Sequence, residues 1–157
     1  MSDILYLLIL ASVAFNGILV GASLDQSIKQ LPARHRIGVI AYSAYAKASD
    51  LGNGIVWYAI IGIGSALLTL TAAIAVFSQH TYLPYALPIY IAGVLSILHT
   101  LATTQAAPTM FSQRHHENDE AALTAIFNRF ERWQTIRAIL QLLTLLALLW
   151  ALVVYAR

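Results

Sequence analysis

The chain has 157 residues, of which 59% are hydrophobic and only 10% are charged. Soluble domains carry about 25% charged residues, so this composition excludes an ordinary soluble domain and indicates an integral membrane protein of one domain. The net charge of +2 is small and the basic residues form no tract, which argues against a nucleic-acid partner. The absence of cysteine excludes a thiolate nucleophile, a disulfide and a cysteine-ligated cluster.

The first two apolar runs predict two membrane spans. Span one covers about residues 4–24, and its apolar run continues too far for a cleaved signal peptide. Gly17 and Gly21 form a GxxxG pattern in it, which predicts the close approach of another helix. Span two covers about residues 55–78, and the preceding Gly52-Asn53-Gly54 predicts a kink where the span begins.

The connection between these spans is moderately polar and is predicted to be helical. Pro32 suits the first turn of a new helix. Residues 33–50 are predicted to form an amphipathic helix on the membrane surface. Beyond span two, a short connection leads to span three, at about residues 84–104, which Pro108 is expected to end or kink.

The last helix is charged at its start and apolar afterwards. Asn118-Asp119 predicts its N-cap, and its apolar part gives span four at about residues 136–156. Four polar residues recur in it at spacings of three, four and three, and so share one helix face: Gln134, Arg137, Gln141 and Thr144. Such a stripe is costly against lipid, so it is predicted to face a cavity or to join helices.

The predicted fold is therefore all-α: a membrane four-helix bundle in a single domain, residues 1–157, with an additional amphipathic helical segment on the cytoplasmic side. The basic residues near the spans lie almost entirely in the two long connections, or just inside span four, at Lys29, Arg34, Arg36, Lys47, Arg114, Arg129, Arg132 and Arg137. The positive-inside rule then places both connections in the cytoplasm and both termini outside, as in a bacterial inner membrane.

This antiparallel order is predicted to bring polar residues from all four spans to one depth in the cytoplasmic half. They are Asn16, Asp50, Asn53, His99, Gln105, Trp133, Gln134 and Arg137. Intramembrane polar groups are functional candidates, and pockets between bundle helices are common binding sites. Of these residues, Asn16, Asn53, Gln105, Trp133 and Gln134 are the candidates for binding a substrate.

His99 and Arg137 are the candidate catalytic residues. An imidazole takes up and releases protons near neutral pH, which suits a base. A guanidinium presents a fixed fork of donors, which suits an anionic or enolate-like oxygen. The alternatives are a His99 imidazole that only bonds across helices, and an Arg137 that snorkels or pairs with Asp50 or Glu131.

No metal or cofactor is predicted. His115 and His116 are adjacent, so they do not share a helix face, and no HExxH spacing accompanies them. A haem between two spans would need two inward histidines at similar depth, whereas only His99 lies clearly inside a span. The sequence also contains no phosphate-binding glycine loop and no Gly-x-Ser-x-Gly elbow.

Three short motifs are spread over most of the chain. Gly17–Gly21 is followed by Leu31-Pro32, span three ends in the Thr-rich stretch TLATTQAAPTM with Pro108, and Arg132-Trp133 is followed by Arg137 in a W-x-x-x-R pattern. Together these motifs resemble the anthrone oxygenase-like integral membrane family, whose bacterial members are mostly described as a domain of unknown function. The chain departs from the family pattern at Thr109, where Asn is frequent, and lacks the frequent His between the Trp and the Arg.

The resemblance implies a four-helix membrane bundle that oxidises an anthrone to an anthraquinone with molecular oxygen, without a metal or flavin. It implies His99 as the base, Arg137 as the anion stabiliser and Trp133 as part of a flat apolar wall. The alternative function is a non-catalytic membrane protein that binds a lipid, a quinone or a partner helix. A transporter is less favoured, because a single four-span chain would need to form a homo-oligomer.

Overall fold

A computed structural model describes residues 3–155, and these residues are helical almost throughout, with no strand among them. Six α-helices follow one another: α1 Asp3–Asp25, α2 Leu31–Ile37, α3 Val39–Ala48, α4 Gly54–Ser78, α5 Leu83–Ser112 and α6 Glu120–Tyr155. Wide π-helical turns, Gln26–Gln30 and Ser49–Asn53, link α1 to α2 and α3 to α4. A 3-10 turn, Gln113–His115, follows α5.

Four of the helices have membrane length. Helices α1, α4, α5 and α6 contain 23, 25, 30 and 36 residues, whereas about 20 residues cross a hydrocarbon core of roughly 30 Å. All four are apolar enough to cross a membrane, as expected for an integral membrane protein. The prediction of an all-α chain with four such helices is confirmed.

The four long helices pack as a closed ring, in which α1 contacts α4, α4 contacts α5, α5 contacts α6 and α6 contacts α1. Short connections join α4 to α5 and α5 to α6, whereas α1 is joined to α4 through the longer segment that contains α2 and α3. A buried cluster near the chain ends and the α4–α5 turn contains Leu5, Ile9, Ala72, Val76, Ala86, Ile89 and Ala151. The opposite end is closed by a second cluster, which joins α3 to α5 and α6 and includes Tyr42, Leu51, Met110, Phe127 and Phe130.

Glycines allow close approach between helices, but not at the GxxxG pattern. A Cβ atom added to Gly17 or Gly21 would meet no atom within 4 Å, so the predicted contact there is wrong. The close contacts involve α4 and α5 instead. A Cβ on Gly64 would lie 2.7 Å from the Phe15 ring of α1, and one on Gly93 would lie 3.3 Å from the Cβ of Ala73.

Two predicted helix boundaries are confirmed, and one of the two alternatives for Pro108, the end of the helix, is excluded. Gly52 interrupts the helical backbone with φ −93° and ψ −114°, which makes the expected kink before span two. Asp119 Oδ1 accepts a hydrogen bond from the Ala122 N–H at 3.0 Å and caps α6. Pro108, however, does not end α5, which continues to Ser112. Proline removes only one backbone donor, and packing along α6 keeps the helix continuous.

The segment after span one is two helices rather than the predicted single one. Pro32 lies in the first turn of α2, as predicted, but Gly38 has a φ of 86° and separates α2 from α3. Buried Arg34 fixes α2 to α6, because its Nη2 donates to Glu131 Oε2 at 2.8 Å and to Asn128 Oδ1 at 3.0 Å. This end of the bundle is thereby held together by a paired cation.

Candidate functional site

A cavity of about 480 Å³ lies between the four long helices, in the half of the bundle nearer the polar connections. Its wall is mostly apolar, with Leu19 of α1, Ile55 of α4 and Met110 of α5 among the lining residues. The polar lining residues come from every long helix and from the two π-helical turns: Ser23, Gln26, Asp50, Tyr58, His99, Thr100, Thr103 and Arg137. An apolar cavity with a few convergent polar groups is the usual form of a small-molecule site.

The cavity is open on one side, between α4 and α5. Leu19 of α1 and Phe130 of α6 are buried on one side of the cavity. On the other side, the exposed apolar lining residues include Ile63 and Leu67 on α4 and Phe111 on α5. The opening therefore faces the space that lipid chains occupy around a membrane bundle, and not the ends of the bundle.

Arg137 brings an unpaired cation to the wall of this cavity. Its Nη1 donates to Gln134 Oε1 at 2.9 Å, and its Nε is buried without a partner. No carboxylate of residues 3–155 lies within 4.0 Å of its guanidinium: Glu131 pairs with Arg34, and Asp50 accepts from Gln26. A largely desolvated charge without a counter-charge is expensive, and the free donors of this guanidinium can bind an acceptor oxygen.

His99 lies beside Arg137 and carries a defined tautomer when neutral. Its Nδ1 is 3.2 Å from the backbone oxygen of Arg137. A carbonyl oxygen can only accept, so Nδ1 carries the hydrogen and Nε2 keeps its lone pair. Within the described residues, Nε2 has no hydrogen-bond partner, and His99 is 7% exposed at the cavity wall. The arrangement supplies a base next to a cation.

Gln134 holds Arg137 in position but does not itself line the cavity. The amide is buried between α6 and α1, where its Nε2 donates to the Ser23 carbonyl at 3.2 Å and its Oε1 accepts from Arg137. Both ends of this side chain are thus used. Gln134, which is predicted to bind a substrate, therefore lies outside the cavity and supports Arg137.

Asn16 lies in the bundle interior, away from the cavity. Its Nδ2 donates to the Ser12 carbonyl at 2.8 Å and to Thr69 Oγ1 at 3.1 Å, while its Oδ1 accepts from Gln141 Nε2. These bonds connect α1 to α4 and α6 and give a partner to both ends of the amide. The geometry gives Asn16 the role of joining helices.

The other three predicted binding residues also lie outside the cavity. Asn53 is exposed at the kink before α4, and Trp133 packs against the buried cluster at the polar end. Gln105 faces a separate groove of about 380 Å³ between α5 and the start of α6, which Arg129 also lines. The structure therefore brings together His99 and Arg137 but none of the five binding candidates at the cavity wall.

Several cavity residues lack a strong sequence signal. Tyr58 and Gln26 lie near the polar ends of apolar spans, where aromatic and polar residues are common for anchoring alone. Thr103 shares a face with His99, four residues apart, and that spacing is the signal that could identify it. Asp50, which is predicted from the sequence to lie in the same half of the bundle, lines the cavity from the turn before α4.

Among residues 3–155, no group of three or more His, Cys, Asp or Glu side chains could hold a metal ion. Comparisons of the chain with protein-family models, with curated proteins and with solved structures find no match.

Proposed function

We propose that the cavity binds a lipophilic aromatic molecule that presents an acidic or carbonyl oxygen to Arg137. The observation that carries this proposal is the guanidinium with one neutral hydrogen-bond partner at the wall of an apolar cavity. An oxyanion placed there would gain charge-assisted hydrogen bonds from Arg137 donors that the described residues leave free. The apolar walls and the volume of about 480 Å³ suit a fused-ring ligand.

We further propose that the bound molecule is an anthrone-type substrate and that the protein is a cofactor-independent oxygenase. His99 Nε2 removes a proton from the ring CH₂ group, and Arg137 stabilises the negative charge that develops on the substrate oxygen. The electron-rich carbon then forms a bond to O₂, and the resulting hydroperoxide loses water to give a carbonyl. One oxygen atom ends in the quinone and the other in water, so the anthrone is oxidised and O₂ is reduced.

The proposed setting is a bacterial inner membrane with both termini outside. The basic connections then lie in the cytoplasm, and the segment containing α2 and α3 lies on the cytoplasmic surface as an amphipathic cap. In this orientation, the cavity is in the cytoplasmic half of the bilayer. Its opening between α4 and α5 would admit a lipophilic substrate directly from the lipid.

The second candidate function is non-catalytic binding of a lipid or a quinone, and the lateral opening of the cavity supports it. Exposed apolar side chains at the opening, such as Ile63 and Leu67, are suited to contact acyl chains as well as aromatic rings. A partner helix or a second copy of the chain in a homo-oligomer would cover the same opening between α4 and α5.

Oxygen uptake by the purified protein separates the two functions. With anthrone as substrate and a chelator present, we expect anthraquinone to form and O₂ to be consumed in equal amounts, faster than in empty micelles. Saturable binding of anthrone without O₂ uptake would support the binding function and overturn the oxygenase. Neither binding nor uptake would overturn both candidate functions.

A further inference from the structure

The cavity contains a second unpaired charge, the carboxylate of Asp50. Its Oδ2 accepts a hydrogen bond from Gln26 Nε2 at 3.0 Å, and Oδ1 accepts none from the described residues. No Lys, Arg or His of residues 3–155 lies within 4.0 Å of it. Arg114 is directed to the neighbouring Leu51, whose carbonyl accepts from its Nη2 at 3.0 Å. Asp50 therefore lines the cavity with its Oδ1 free to accept a hydrogen bond.

The backbone of Gln26, which holds Asp50, and the backbone of Arg137 lie at different levels along the bundle axis. Gln134 of α6 donates to the Ser23 carbonyl of α1, which places these two residues at one level. Gln26 lies one turn from Ser23 toward the polar connections, and Arg137 lies one turn from Gln134 in the opposite direction. At about 1.5 Å per residue, the backbones at Gln26 and Arg137 are separated by roughly 9 Å along the axis.

Each charge is held by a neutral amide instead of by the other charge. Opposite charges in an apolar cavity attract each other strongly, so a bundle that needed only stability would gain by pairing them. Gln26 holds Asp50, and Gln134 holds Arg137, so each charge has its own neutral support. A ligand that bridges them would need a hydrogen-bond donor at one end and an acceptor oxygen at the other.

We infer that Asp50 is a specificity-determining residue that selects fused-ring phenols with a hydroxyl at the end remote from the oxygen bound by Arg137. This inference rests on the proposed function and adds to it the second recognition point. A hydroxyl that donates to this partly buried carboxylate contributes enough to raise affinity about tenfold over the same ring without that hydroxyl.

Equilibrium dialysis of the purified full-length protein tests the inference with two probes. They are 2,6-dihydroxyanthraquinone and 2-hydroxyanthraquinone, which differ by the remote hydroxyl, with empty micelles as the partition control. The wild type is expected to bind the dihydroxy probe about tenfold more tightly. Asp50→Asn should remove that preference while it retains the affinity for the monohydroxy probe. Asp25→Asn is the matched control, because Asp25 pairs with Lys29 and does not line the cavity.

The outcomes distinguish this inference from the proposed function. Equal affinity of the wild type for the two probes, or a preference that survives Asp50→Asn, would overturn the inference and leave Arg137 binding intact. If Asp50→Asn does not fold, Gln26→Met should lower the same preference, because it releases the Asp50 carboxylate from its support. No saturable binding of either probe to the wild type would overturn both.

Discussion

Arg137 Nη1 donates to Gln134 Oε1 at 2.9 Å, and this neutral amide is the only hydrogen-bonding partner of the guanidinium among residues 3–155. The other buried arginine, Arg34, is treated differently, because it pairs with Glu131 and Asn128. One cation therefore contributes to the fold, while the other is left available beside an apolar cavity. The contrast leads to opposite expectations for the stability of variants at the two positions.

Replacement of Arg137 by Met should raise the stability of the ligand-free protein. The change removes a buried, unpaired charge and supplies an apolar side chain of similar length, which is often stabilising by about 1–4 kcal/mol. Thermal unfolding in detergent measures it, and a higher Tm is expected. The matched variant Arg34→Met should lower the Tm instead, because Glu131 loses its partner. A lower Tm for Arg137→Met would show that the guanidinium supports the fold.

Replacement of His99 by Gln should separate binding from turnover. Glutamine retains an N–H that can donate to the Arg137 carbonyl, but it has no imidazole base, so kcat for anthrone oxidation should fall about 100-fold or more. The Kd of 2-hydroxyanthraquinone should change little. Thr100→Val, on the same wall, is the control and should keep its kcat. Unchanged turnover in His99→Gln would exclude His99 as the base.

Replacement of Asn16 by Leu should destabilise the bundle and leave the cavity intact. Thr69 and Gln141 would lose a buried partner, at a cost of about 1–2 kcal/mol in the free energy of unfolding. Since Asn16 does not line the cavity, the Kd of the hydroxyanthraquinone probe should stay close to that of the wild type. Loss of probe binding at unchanged stability would instead assign Asn16 to the binding site.

The sequence predicted the helical framework well, because apolar length and caps are local properties. For the polar stripe on α6, such reasoning predicts which face is buried but not which residue of that face lines the cavity. Gln134, Gln141 and Thr144 are buried, as expected for a face turned inward. Whether a polar residue of the stripe reaches the cavity depends on the side chains of the neighbouring helices. Gln141 donates to Asn16 Oδ1, whereas no carboxylate of residues 3–155 lies within 4.0 Å of the Arg137 guanidinium.

The binding candidates show why depth alone does not predict a site. Asn53, Gln105 and Trp133 were grouped with His99 by their level in the bundle, yet helix rotation directs them away from the cavity. Asp50 lines the wall from the turn that also contains the backbone break at Gly52. Rotation and kink geometry are tertiary properties that periodicity in one helix does not determine.

The orientation of the chain can be tested with single cysteines, since the natural sequence has none. Gln79→Cys places a thiol in the α4–α5 turn, and Glu117→Cys places one in the connection between α5 and α6. A membrane-impermeant maleimide should label the Gln79 variant in intact bacterial cells and the Glu117 variant only after lysis. The reverse pattern would place the basic connections outside.

Binding of 2-hydroxyanthraquinone to the wild type, Arg137→Met and Gln134→Glu tests the central claim most directly. Gln134→Glu supplies a carboxylate at the atom that now accepts from Arg137, so it should satisfy the cation within the protein. We expect saturable binding by the wild type and an increase in Kd of at least about tenfold in both variants, because each removes a charge-assisted bond to the ligand. Equal Kd values in all three proteins would show that the cavity does not use Arg137 to bind its ligand, and would contradict the account.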